Sequence, residues 1–200
     1  MAVQDVLIGP GRLYRAPVGE AAPDETTVAY GAAWGGNWTD MGDFPEDMPV
    51  TITIDETVVK VYGQQSSGVK KQSRTRREPI VKGALLEHSV ANMALLLDST
   101  AATTAAGSSQ KGFSSIPFGT NPDVDEYAWG IEALRKDSAG NNQPVRWILH
   151  KGSIRLAGDI AYDKTKETVL PFEITILEDD SQDAGEQLGE FQQVTAAATA

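Results

Sequence analysis

Apolar and polar residues alternate most regularly over positions 168–178, where Leu170, Phe172, Ile174 and Ile176 interleave with Pro171, Glu173, Thr175 and Leu177. That is the period of a strand with one buried face. The same rhythm sets Val50, Ile52 and Ile54 against Thr51, Thr53 and Asp55. Strands are also predicted over 127–136, 145–150 and 153–161, with turns at 137–142 and 163–167, so the C-terminal half reads as an antiparallel meander. Shorter strands are predicted at 34–41 and 79–82. A first strand lies within 3–15, where Gly9, Pro10 and Gly11 bar a helix. Only residues 84–97 carry helical spacing, with Leu86, Val90, Met93 and Leu97 recurring at intervals of 4, 3 and 4. Ten of those fourteen residues are apolar, more than one core-facing stripe needs. A second face bearing Leu85, Leu95 and Leu96 therefore calls for cover by a loop or a neighbouring subunit.

Two segments break the pattern. Residues 62–77, YGQQSSGVKKQSRTRR, hold Lys70, Lys71, Arg74, Arg76 and Arg77 and no acid. They read as a long exposed loop or loosely paired hairpin, and connections of that length call for a partner. After Lys166 no base follows, while Glu167, Glu173, Glu178, Asp179, Asp180, Asp183, Glu186 and Glu190 lead to an Ala/Thr tail. Residues 99–118, rich in Ser, Thr, Ala and Gly, read as a surface connection.

Two hundred residues suffice for one domain with its own core, here spanning 1–200 with an arm at 1–9, the basic loop at 62–77 and a flexible acidic segment at 179–200. A formal charge of −11 disfavours a surface built on many phosphate contacts. The absence of Cys excludes disulfides, Cys-containing zinc sites, Fe–S clusters and a thiol nucleophile. Asp5 stands where a secretory leader carries Lys or Arg, and no 18 apolar residues run together, so neither a signal peptide nor a membrane insertion is expected. Synthesis in a reducing cytoplasm is the corresponding expectation.

Candidate chemistry is sparse. Gly9-Pro10-Gly11 lacks the lysine and following helix of a phosphate loop. His88 has no second His four residues on, which fails the helical zinc pattern. His150, Ser153 and Asp159 are near in sequence, yet no nucleophile elbow accompanies them. Asp123, Asp125 and Glu126 lack the spacing of a calcium loop and read as a solvated acidic loop. Trp129 and Trp147 share strand parity with Ile131 and Leu149 and read as core, whereas Trp34 and Trp38 could line a sugar-binding groove. No catalytic residue, cofactor or metal site is expected. The segregation of charge, a basic loop in an acidic chain, fits self-association of unlike patches.

The order of features resembles the major tail tube proteins of long-tailed, siphovirus-type bacteriophages. It opens with Gly-Pro-Gly-Arg-Leu-Tyr at 9–14, Pro-Val-Gly at 17–19 and Trp-Thr-Asp-Met-Gly at 38–42. The alternating strand, the polar loop and the Leu-Leu-Glu segment come next, and Thr-Val-Leu-Pro-Phe-Glu-Ile at 168–174 leads to Leu-Glu-Asp-Asp at 177–180. The resemblance implies a mainly β, sandwich or barrel-like fold with one flanking helix, whose inner sheet joins a multi-subunit barrel. It also implies a non-enzymatic virion protein that stacks as hexameric rings into the conduit for DNA ejection. Its partners would be further copies of itself, the tail tip or initiator, the tape measure and terminator proteins, and DNA passing without specific binding. Assembly would take place in the host cytoplasm.

About four strands from each of six subunits, at ~4.8 Å spacing and ~45° tilt, close a barrel about 50 Å across, which leaves roughly 40 Å inside for a duplex. Six times −11 gives about −66 per ring, a lumen that repels phosphate. In that assembly Lys70, Lys71, Arg74, Arg76 and Arg77 are expected to meet acids such as Glu178, Asp179 and Asp180 of another copy, with Leu85 and Leu96 against an adjacent subunit. A tube component of a contractile tail or secretion apparatus, and a carbohydrate-binding sandwich using Trp34 and Trp38, are the alternatives.

Overall fold

The computed structural model describes residues 10–24, 27–62, 64, 68–120, 122–136 and 140–194. Its elements in chain order are β1 (Arg12–Pro17), β2 (Thr39–Asp40), β3 (Thr51–Tyr62), β4 (Val69–Leu85), α1 (Val90–Leu96), β5 (Ala102–Thr104), β6 (Phe113–Ser115), β7 (Glu126–Lys136), β8 (Asn142–Leu156), β9 (Leu170–Ile176) and β10 (Gly189–Gln193). Eight strands form one antiparallel, open sheet in the order β2-β1-β7-β8-β9-β4-β3, with β10 on β8, while β5 and β6 pair separately. The mainly β architecture with one helix agrees with the sequence expectation.

The two strands read at 145–150 and 153–161 are one strand. β8 runs on through Gly152, gains an extra residue opposite β7 between Leu149 and Gly152, and offers successive halves of its other edge to β10 and β9. Such a bulge bends a strand without ending it. Two residues of β9 and its neighbour illustrate the close packing there: a Cβ on Gly152 would lie 2.9 Å from the Thr175 carbonyl. The predicted strand at 34–41 shrinks to Thr39–Asp40, because Ala22, Val28, Trp34 and Trp38 instead pack over the sheet.

Where β1, β7 and β8 lie side by side, both faces of the sheet are covered. Leu13, Ile131 and Trp147 lie across β1, β7 and β8 on one face, and Trp129 and Leu149 lie on the same side. With Val81, Leu85, Ile154 and the four inward residues of β9, Leu170, Phe172, Ile174 and Ile176, they form the main core. The neighbouring row, Tyr14, Gly130 and Ile148, faces the other way. There Trp34 stacks on Tyr14 with ring centroids 4.2 Å apart, and Trp38 meets Trp34 edge-on. Gly130 makes room, since a Cβ there would fall 2.2 Å from the Trp34 ring.

The helix is half as long as its apolar spacing suggests. Ala84 and Leu85 pair with β9 and end β4, fully buried. Ser89 then caps α1 by accepting the Asn92 amide at 3.1 Å. The helix closes in a Schellman arrangement, Ser99 N–H to the Ala94 carbonyl and Asp98 N–H to Leu95, with Asp98 in the left-handed region at φ 48°. The excess of apolar residues over 84–97 reflects two burial sites in succession, a strand end and a helix face.

Candidate assembly interface

From Ile80 inward β4 is flanked by β9, but beyond Pro79 it pairs only with β3. The outer part, Asp55–Tyr62 against Val69–Glu78, is a two-stranded ribbon reaching roughly 25 Å from the body. Residues 69–77 are exposed throughout, as are Val59, Val61 and Tyr62. The segment read as a loop at 62–77 is thus mostly strand, and the paired alternative is the one that forms. Two register shifts leave Thr75 and Lys70 as extra residues on β4, and Thr75 donates its hydroxyl to the Thr57 carbonyl. Isolated two-stranded ribbons are marginal in water. β3 is also the end of the sheet, with no strand on its outer edge among the described residues.

The basic residues divide into two groups. Arg77 donates to Glu56 Oε1 through Nε at 2.7 Å, and Arg74 Nε lies 3.0 Å from Glu56 Oε2. The hydrogen bond from Arg77 holds the Glu56 carboxyl below its ordinary range, with the Arg74 charge adding to it. Arg76 pairs with Glu78. The arginines therefore find acids within the ribbon itself, on β3 and at the base of β4, which a count confined to 62–77 could not reveal. Lys70 and Lys71 have no ion pair among the described residues. Lys71 sits opposite Val61, on the side of the ribbon that also carries Val59.

The acidic candidates separate as well. Glu178 and Asp180 are exposed, but Asp179 is buried. Its carboxylate accepts the Ser181 hydroxyl at 2.7 Å, the Ser181 amide at 3.0 Å and Gln182 Nε2 at 3.2 Å, and these bonds hold it below the usual carboxylate range. Asp179 shapes a turn and is withdrawn from the surface. Leu85, fully buried, and Leu96, 4% exposed, are likewise withdrawn, since both belong to this chain's own core. Glu173 is taken by Lys82 and Arg155 of the adjacent strands.

The acidic segment expected to be flexible from 179 onward is docked as far as 194: β10 pairs with β8, and Phe191 packs on Trp147 at 4.9 Å. Residues 195–200 and the predicted arm at 1–9 lie outside the described residues.

Sequence reasoning missed one polar cluster. Glu132 and Arg146 face each other across β7 and β8, both fully buried, with Arg146 Nη2 3.0 Å from Glu132 Oε1. Arg146 Nη2 also donates to the Val28 carbonyl at 2.6 Å, while Glu132 accepts from Gly31 N–H at 2.9 Å and Trp34 Nε1 at 3.3 Å. The pair ties the 28–34 loop to the sheet. It also makes Trp34, 5% exposed, part of the interior, so the Trp34 and Trp38 pair offers no open sugar platform. Trp38 spends its Nε1–H on the Ala21 carbonyl. The His88 ring lies 3.4 Å from the Tyr162 hydroxyl. Among the described residues no group of three His, Asp or Glu is able to hold a metal, and no helix is long and apolar enough to cross a membrane.

Among curated proteins none matches this chain. A family model described as phage tail tube protein matches residues 4–198, nearly the whole length. With a mainly β sheet and a ribbon projecting from its edge, the chain belongs to the phage tail tube protein family.

Proposed function

We propose that this tail tube protein assembles as hexameric rings that stack into the tube of a siphovirus-type tail, the conduit for DNA ejection. The observation that carries the reading is the β3–β4 ribbon, which is marginal alone, exposed on both faces and set at an open sheet edge. The free edge of β3 supplies backbone donors and acceptors for an adjacent copy, so that inner sheets continue around a ring. The ribbon then reaches a copy in the next ring, where Lys70 and Lys71 meet the exposed Glu178 and Asp180. Leu85, Leu96 and Asp179 have no part in that contact. The acidic balance of −11 per chain favours free passage of DNA through the lumen. The tail tip, tape measure and terminator proteins would bound such a tube, assembled in the host cytoplasm.

Negative-stain electron microscopy of the concentrated protein tests the reading. Six-fold rings or hollow tubes are expected for the wild type. Lys70→Glu/Lys71→Glu is expected to leave the monomer's thermal unfolding unchanged and to abolish stacked tubes. This pair is a cleaner probe than Arg74→Glu/Arg76→Glu, which also breaks bridges inside the ribbon. Normal tubes from the lysine variant would refute the inter-ring contact, and rings of another symmetry would refute the hexamer.

A further inference from the structure

Toward β3 the sheet has one open face. Val81, Ile174 and Ile154 lie opposite one another on the side of the main core, which Met93, Leu95 and Leu96 of the α1 region also join, and the register turns the intervening residues the other way. In one row there Arg155, Glu173, Lys82 and Thr51 succeed one another across β8, β9, β4 and β3. The next row carries the short hydroxyls of Ser153, Thr175 and Thr53. The Lys82 and Arg155 side chains are 56% and 66% exposed, so this side lies open.

As far as the first register shift, at Thr57, every base on this face holds an acid. Glu173 lies between Lys82, at 2.9 Å, and Arg155, at 2.5 Å. Lys151, two residues before Ser153, reaches Glu126 at 2.9 Å, and Arg76 pairs with Glu78. With Asp55 opposite Glu78, four bases stand among four acids, so the face carries no net charge in a chain of −11. Lys71 lies on the same side beyond the shift, in the part of the ribbon assigned to another copy.

We propose that this face lines the bore of the tube, and that Glu173, Glu126 and Glu78 keep its four bases from the phosphates of passing DNA. The inference rests on the tube reading, in which the edge of β3 continues the sheet into an adjacent copy. In a ring closed by that sheet, α1 and the loops packed on the core face need the roomier outer side, which turns the open face toward the axis. A base without its acid would exchange a counterion for a phosphate, and its repetition in every copy would hold the duplex at many points. The overall charge discourages DNA at a distance, and the pairing removes its points of attachment at contact.

The test first compares single chains. Glu173→Gln/Glu126→Gln frees Lys82, Arg155 and Lys151, whereas Glu46→Gln/Glu87→Gln removes the same charge beside Phe44 and Leu86. Fluorescence anisotropy of a short labelled duplex at low salt reads binding, and far-UV circular dichroism checks both folds. The first variant is expected to bind about tenfold more tightly than the second, with a log–log salt slope of about −3, near one unit per freed base. Equal affinity of the two variants would overturn the inference, whether or not tubes form. In assembled tubes, Thr53→Cys is expected to react with N-ethylmaleimide, which enters the bore, and not with a polyethylene-glycol maleimide wider than the bore. Reaction with both would put the face outside and reaction with neither would put it in an interface, and either result overturns the inference. Absence of tubes would count against the tube reading and leave the binding comparison to decide.

Discussion

The buried pair of Glu132 and Arg146 gives the sharpest test of what holds the second face of the sheet. Both side chains are fully buried, and three groups of the covering loop depend on them: the Val28 carbonyl, the Gly31 amide and Trp34 Nε1. Glu132→Leu leaves a guanidinium buried without its counter-charge, a change that costs about 3–5 kcal/mol. A domain of this size shifts its melting temperature by about 2–4 °C per kcal/mol, so the expected fall is about 6–20 °C. Arg146→Leu strands the carboxylate and is expected to cost a similar amount.

In Glu132→Leu/Arg146→Leu neither charge remains. Val28 and Gly31 are half-buried and can turn to water, which leaves the Trp34 indole N–H as the main loss, about 1–3 kcal/mol. The double variant is therefore expected to lose far less than the sum of the singles. A double-mutant cycle by urea denaturation of the monomer measures the difference, and the coupling should exceed about 2 kcal/mol. If the two losses simply add, the side chains do not act as a buried pair and the account of this face fails.

Gly130→Ala places a Cβ against the Trp34 ring, so it should destabilise the monomer by about 1–3 kcal/mol and disturb the near-ultraviolet tryptophan circular dichroism; an unchanged spectrum and midpoint would refute the close approach. Hydrogen bonds from Lys82, then Arg155, hold the Glu173 carboxyl below its usual 4.5, so its contribution is present above that value and is lost as pH falls through the lower folded value. Glu173→Gln should flatten the acid side of the stability profile below pH 4.5, and an unaltered acid slope would count against it.

The strands of the meander were legible because each has one face toward a core, so period-two alternation survives in Leu170, Phe172, Ile174 and Ile176 and in the shared parity of Trp129 with Ile131. The basic character of 69–77 was legible too, but its form was not. Hairpin pairing is a relation between two segments, and the acid that holds Arg74 and Arg77 comes from β3. Leu85 and Leu96 looked like one amphipathic helix because local spacing cannot tell a strand end followed by a short helix from a longer helix. Ser89, in the middle of that span, was the available signal, since it is a favoured N-cap residue.

What the sequence by itself determined was the class of protein. Alternation requires a sheet, the absence of Cys removes whole chemistries, and ordered features along the chain carry the tail tube resemblance. Only the tertiary structure decided which polar residues are available at the surface. Glu132 and Arg146 sit at positions that read as solvent-facing along their strands, yet β7 and β8 are covered on both faces there, and each charge is buried by a loop that lies about a hundred residues away in sequence. Asp179 disappears into a turn while Glu178 and Asp180 stay outside. Burial of a charge depends on what folds over it, and that is a property of the assembled chain that no local pattern contains.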